Sequence, residues 1–375
     1  MKRKDILTRS FADGSELSIP VFYCPGTDKG APSVYIQSGI HGAEVQGYVV
    51  TLQLIEYFSN NPPKGDITIV PIANPYGLNC KIGEYTFGRF DPVTGDNWNR
   101  NYADFSGHVD EFLEAHPNRS FEELVVLFKQ FLKQSLSKKL QEKTSYHKKL
   151  ALQLQELAIS ADIVLDLHCD TISVPHIYSS EYVMCSVSKL RIPFVIEIPS
   201  IFAGALDEAI FCPWIELIEK YKKINHLESL INMPIEVFTV ELGNQEDINT
   251  KKSRLQTKGV LNYLSVKGVC DALDNLEKFN IYSCKLKDFI TIYSPIGGLV
   301  TDNANFGIEL PSGEEIISLS APSLWKELTT TTDLIANSTH TIKTQCPAIP
   351  ITRAASIVVN EGMALMKLMT NFRHS

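Results

Sequence analysis

The sequence predicts an α/β fold: a mixed, largely parallel sheet with flanking helices, followed by a smaller β-rich C-terminal domain. Three observations carry that prediction. From Pro32 to Val240, short β-branched runs alternate with helical segments, the pattern of strands joined by crossover helices. Near Tyr282 the style changes to brief apolar runs separated by Pro, Gly and Asn, with no amphipathic helix of convincing length. A chain of 375 residues also exceeds what one hydrophobic core usually fills, so two domains are expected, 1–282 and 283–375.

Taken in order, the strands expected in the first part are 34–37, 67–72, 163–167, 193–198 and 235–242. Between the first two, 44–58 has Val45, Val49, Leu52 and Ile55 at helical spacing and is expected to pack that stripe on the sheet. Ser120-Phe-Glu-Glu123 reads as a capping box, and Leu124, Phe128, Leu132 and Leu136 continue the helix it starts. A polar interval at 143–145 divides this region, and Leu150, Leu154 and Leu157 belong to a second helix. Lys133, Lys138, Lys139, Lys143, Lys148 and Lys149 fall at helical spacing and are expected to form a solvated face. In the second part the strands expected are 289–293, 298–300, 315–319 and 357–359. Lys367, in Gly362-Met-Ala-Leu-Met-Lys-Leu-Met, resembles a carrier-hairpin lysine, but only eight residues follow it. A last apolar strand with an outward lysine is the expectation.

Composition excludes several classes. Hydrophobic residues make up 44% and charged residues 21%, and no apolar run approaches the roughly 20 residues of a membrane span, so a soluble globular protein is expected. The start, Met1-Lys-Arg-Lys-Asp-Ile-Leu, lacks the apolar core of a signal peptide, which points to the cytoplasm. A net charge of -8 disfavours nucleic acid as a partner. Eight cysteines show no C-x-x-C pair, so neither a zinc ribbon nor a dithiol motif is expected. Cys169 is read as a bystander, because neighbours on a strand point to opposite faces.

Ser38-Gly-Ile-His41-Gly-Ala-Glu44 places an imidazole and a carboxylate three residues apart directly after an apolar run. A catalytic zinc ion takes three protein ligands from His and carboxylate and leaves one position to water. His168, in Asp166-Leu-His168 at the end of a strand-like run, supplies the third. Loops beyond strand carboxyl ends are where open α/β sheets keep their sites. His176 and Tyr178 follow closely; His176 is read as a hydrogen-bonding support for the site, with pocket lining or a second metal as the alternatives. His108, His116, His147, His226, His340 and His374 have no partner spacing and are expected at the surface.

His41-x-x-Glu44, Asn97-Trp-Asn99-Arg100-Asn101-Tyr102, Asp166-Leu-His168 and Thr239-Val-Glu241-Leu-Gly243 together resemble the ordered motifs of the zinc carboxypeptidase superfamily. With its β-rich extension, the chain is most similar to the succinylglutamate desuccinylase/aspartoacylase branch. The resemblance implies a zinc-carboxypeptidase-like sheet and assigns the catalytic glutamate to Glu241, a general base at the end of a strand. It implies a carbonyl-polarising arginine ahead of the Asn-Arg motif, for which Arg89 is the candidate against a plain surface role. Asn99 and Arg100 take the grip on a substrate carboxylate, which a planar guanidinium can hold through two hydrogen bonds. Two departures stand out. Asn97 occupies a place where the family often has Asp, and 124 residues separate Glu44 from His168, leaving room for the helices at 120–158.

The expected activity is removal of an acyl group from an N-acyl amino acid by a zinc-dependent amide hydrolase, with nickel or cobalt as substitute metals. The alternative is a metallocarboxypeptidase acting on a short peptide, which would use the same ligands, base and clamp. A non-catalytic metal-binding or interaction protein is the alternative of another class. A small-molecule substrate is expected, with room for a homo-oligomer.

Overall fold

The computed structural model describes residues 1–228, 231–271, 279–321 and 339–374. Its first strands, in chain order, are β1 Lys2–Ser10, β2 Glu16–Cys24, β3 Val34–Ser38, β4 Ile67–Val70, β5 Lys81–Ile82, β6 Tyr85–Thr86, β7 Ile163–Asp170, β8 Ile172–Ser173, β9 His176–Ser180, β10 Phe194–Ile198, β11 Glu236–Asn244 and β12 Tyr282–Lys285. The main sheet has the order β1-β2-β4-β3-β7-β11-β9-β10-β12 and ends on Arg373–His374 from the far end of the chain. β4, β3, β7 and β11 are parallel, and so are β9, β10 and β12. β9 runs antiparallel to β11, and β1 and β2 add an antiparallel edge. The expected mixed, largely parallel sheet is therefore present. β1 and β2 lie outside the expectation: β1 is mostly exposed and has too little apolar alternation to announce itself.

Side-chain alternation gives the sheet two cores. Tyr35, Val164 and Val237 face one side, against Leu124, Phe128, Leu150, Leu154 and Trp214 from the helices Phe121–Lys139, Tyr146–Ala158 and Leu206–Ile224. Ile36, Leu165, Leu167, Phe238 and Val240 face the other, against Val50, Leu54, Phe58, Val260 and Leu264 from the helices Gln46–Asn60 and Thr250–Val266. Towards the strand carboxyl ends the first face turns polar, with Gln37, Asp166, His168, Thr239 and Glu241 following the same alternation. The functional cleft opens there.

The helix after β3 corrects the expected stripe. Its buried residues are Gln46, Gly47, Val50, Thr51, Leu54 and Phe58, while Leu52 is 39% exposed. Gly47 explains the rotation: a Cβ there would stand 2.8 Å from Ser38 Cβ and 3.2 Å from Leu167 Cβ. The helix lies against the sheet on its glycine. The capping box at Ser120 and Glu123 forms as expected, Leu124, Phe128, Leu132 and Leu136 are buried, and a break separates the two helices of this region.

Beyond β12 the chain builds two four-stranded antiparallel sheets, the β-rich part foreseen from the sequence. One contains Phe289–Tyr293, Ala364–Met369 and Ile349–Arg353, and its fourth strand is β8. β8 directly follows β7, so the strand carrying His168 continues at once into a contact with the C-terminal sheet. Among the described residues no helix is long and apolar enough to cross a membrane.

Candidate active site

His41 and Glu44 lie in the turn between β3 and the helix Gln46–Asn60, closed by a Glu44 N–H bond to the His41 carbonyl at 3.1 Å. Gly42 makes this turn fit, because a Cβ there would lie 2.1 Å from the Gly77 carbonyl oxygen. Its N–H bonds the Gly88 carbonyl at 2.9 Å, which docks the turn on the loop carrying Arg89. His168 projects from inside β7, two residues before the strand ends. The three side chains converge: one ligand atom from each of His41, Glu44 and His168 lies within 4.8 Å of the others, all buried. Nδ1 of His41 is 2.7 Å from Glu44 Oε1, and Nδ1 of His168 is 2.8 Å from Glu44 Oε2.

The outer ring nitrogens fix the rings. His41 Nε2 donates to Asn97 Oδ1 at 2.8 Å, and that oxygen also accepts the Asn99 N–H at 2.9 Å, which settles the amide's orientation. His168 Nε2 is ion-paired with Asp166 Oδ2 at 2.9 Å. Asp166 in turn accepts from Gln37 Nε2, and Gln37 accepts from the Tyr35 hydroxyl, each at 2.8 Å. Such outer partners set tautomer and ring direction in metal sites. His41 Nε2 is spent on its bond to Asn97, so the His41 Nδ1 lone pair points at the Glu44 carboxylate, and His168 Nδ1 faces the same carboxylate. Lone pairs facing one another at these distances require positive charge between them. In the metal-free chain a proton meets the need: burial alone would depress His168, but the charges of Asp166 and Glu44 raise it well above the usual imidazole range. Burial likewise works against ionised Glu44, yet the charges of His41 and His168 hold it below the carboxylate range. The donor set fits a divalent cation, with His41, Glu44 and His168 as its holders.

Glu241 stands beside this centre. In the β7–β11 ladder it is the direct partner of His168, and in the β9–β11 ladder that of His176. One side of Glu241 opens on the cleft, but its Oε2 is buried without a hydrogen-bond partner. Burial, with the nearby charges of Glu44 and Asp170, outweighs the opposing effect of His168 and Arg89 and pushes its carboxyl up to about 8. A cleft of ≈ 320 Å³ joins His41, Glu44 and His168 to Arg89, Asn99, Arg100, Tyr178, Asp207 and Glu241. The residues expected as ligands, base, carbonyl-polarising group and carboxylate clamp thus line one cavity.

Their detailed positions add what spacing does not carry. Arg89 donates to Glu44 Oε1 at 3.2 Å with its side chain 47% exposed. Asn99 is buried, its amide 3.3 Å from His168 Nε2, and the exposed Arg100 donates through Nη1 to the Asn99 carbonyl at 2.6 Å. His176 is fully buried outside the cleft lining, with Nδ1 donating to the Val174 carbonyl at 3.0 Å. Burial keeps it neutral, lowered to about 4. Cys169 turns its side chain into the second core, and its N–H bonds Glu44 Oε2 at 3.1 Å.

Three residues depart from expectation. Lys367 does not point outward; it lines the cleft, with Nζ 3.7 Å from Asp170 Oδ2. Nothing local in the sequence signals this, since the C-terminal sheet brings it there. His147 is buried rather than a surface residue, because the first turn of the helix Tyr146–Ala158 presses it against Asp91 and Asp96. Asp207 is a lining residue absent from the motifs. It accepts from the Thr239 hydroxyl at 2.9 Å, and burial, aided by the charge of Glu208, raises its carboxyl to about 6. Asp166 was readable in principle, because a residue two before His168 on a strand shares its face.

Residues 30–266 match the family model described as the succinylglutamate desuccinylase/aspartoacylase catalytic domain. The chain belongs to this family. A candidate succinylglutamate desuccinylase/aspartoacylase from Shewanella frigidimarina is 35% identical over 100% of this chain and 98% of its own, with a TM-score of 0.92. A protein of the family from Shewanella amazonensis is 33% identical, covers 100% of both chains and has a TM-score of 0.91. The product-bound ectoine utilization protein EutE from Ruegeria pomeroyi, at 15% identity, shares the fold, with a TM-score of 0.66 over 98% of this chain and 95% of its own. No curated protein matches the sequence. Membership in the succinylglutamate desuccinylase/aspartoacylase family supports an amide-hydrolase role on acyl-amino acids.

Proposed function

We propose that this protein is a zinc-dependent deacylase that removes the acyl group from an N-acyl amino acid. The observation that carries the reading is the register of β7 and β11, which sets Glu241 beside the His41, Glu44 and His168 cluster in one cavity. A divalent cation bound there supplies Lewis acidity, which makes water available as a nucleophile near neutral pH and polarises the carbonyl under attack. Held ionised against the upward push of burial by the positive charge of a cation bound there, Glu241 takes the proton of the attacking water and passes it to the departing nitrogen. Arg89, exposed at the cleft mouth, donates to the oxygen on which negative charge develops. Arg100, with Asn99, grips the carboxylate of the amino-acid part through paired hydrogen bonds.

Leu286 and Lys367 come from the C-terminal part of the chain and wall the cleft, which favours a small acyl substrate over a peptide laid along an open groove. Zinc suits the two-imidazole, one-carboxylate set, and nickel or cobalt are substitutes. A panel of N-acetyl amino acids, N-succinyl amino acids and short peptides, assayed with metal-reconstituted protein, tests the reading. Turnover of N-acyl amino acids with no cleavage of peptides is expected; peptide cleavage alone would make it a carboxypeptidase. For Arg100→Ala, KM for substrates with a free carboxylate should rise roughly tenfold or more, while their carboxamide analogues are unaffected. An unchanged KM removes Arg100 from the clamp.

A further inference from the structure

We propose that His147 is a positioning residue for the metal centre, acting through Asp96 and Asn97 on His41. This rests on the reading of His41, Glu44 and His168 as a metal site. His147 is 7% exposed on the first turn of the helix Tyr146–Ala158. Its Nε2 is 3.0 Å from Asp96 Oδ2, and its Nδ1 is 3.6 Å from Asp91 Oδ2. The ring therefore lies between two carboxylates that sit at the two ends of one tight loop. The Asp91 N–H bonds the Asp96 carbonyl at 2.8 Å, the Gly95 N–H bonds the Asp91 carbonyl at 2.8 Å, and Asp91 Oδ1 accepts from the Val93 N–H at 3.0 Å. One residue beyond Asp96, Asn97 holds His41 Nε2.

The same helix turn grips the next residue too. Trp98 is 1% exposed and packs edge-on against Tyr146 with ring centroids 5.7 Å apart, while its backbone N–H bonds the Arg89 carbonyl at 3.2 Å. Tyr146 and His147 thus clamp both sides of the segment that presents Asn97. Without the imidazole, Asp91, only 3% exposed, faces a gap in place of its ring partner. The loop end then relaxes, Asn97 Oδ1 drifts from His41, and the ring is free to turn its Nδ1 away from the metal position.

The test is a double-mutant cycle on zinc affinity, measured with the full chain by competition against a chromophoric chelator, so turnover is not the readout. Asn97→Ala and His147→Ala should each weaken zinc binding about tenfold, in line with the loss of outer partners at metal sites. Because both act through the same bond, the double variant should bind no more weakly than Asn97→Ala. An unchanged affinity in His147→Ala, or a double variant whose loss is the product of the two single losses, overturns the inference. Should His147→Ala fail to fold, Asp96→Ala takes its place in the cycle, since the Asp96 side chain is 44% exposed and is the link through which His147 acts. A wild-type chain that binds no zinc overturns the metal reading itself, and this inference with it.

Discussion

Replacing Glu241 with glutamine should leave metal binding intact and lower kcat by about 10²- to 10⁴-fold, the usual worth of a positioned general base. Glutamine keeps the shape of the side chain but cannot take a proton. Zinc titration and steady-state kinetics on the same preparation check both halves. Retained turnover would remove Glu241 from the mechanism, and lost metal would make it a support for the ligands instead.

The variant also has a signature in stability. In the metal-free folded chain the Glu241 carboxyl is raised from 4.5 to about 8. Between those values the folded chain holds a proton that the unfolded chain has released, so Glu241's contribution to stability is complete below 4.5 and is lost as pH rises towards 8. Glu241→Gln should flatten that part of the pH-stability profile of the metal-free protein. A slope equal to wild type would show that the carboxyl is not buried in the protonated form.

Metal removal should have the other large effect. A chelator is expected to abolish turnover and zinc to restore it, while zinc at a hundredfold excess over its Kd should add about 2.7 kcal/mol of stability by mass action. His168→Ala should lose the stabilisation, because Glu44 then faces one imidazole where two now converge on it. Thermal unfolding with and without zinc reads this directly. A melting temperature that zinc does not move in the wild type would sink the metal centre, and one that zinc still raises fully in His168→Ala would exclude that ligand.

By itself the sequence determined the alternation of strands and helices, the β-rich end and the residues able to bind a metal, because these follow from short-range periodicity and side-chain chemistry. His41 and Glu44 share one turn, and His168 and Glu241 each close a strand-like run, so local pattern together with the family resemblance was enough to propose them. Only the tertiary structure decided their meeting, since the register of β7 against β3 and β11 sets which side chains stand abreast. It also decided the stripe of the helix after β3, where close approach at Gly47 outweighed the apolar spacing. Lys367 and His147 were misjudged for the same reason. Each is set by its own element against partners distant in sequence, Asp170 for the first and Asp91 with Asp96 for the second, and periodicity within a segment carries no record of what packs against it.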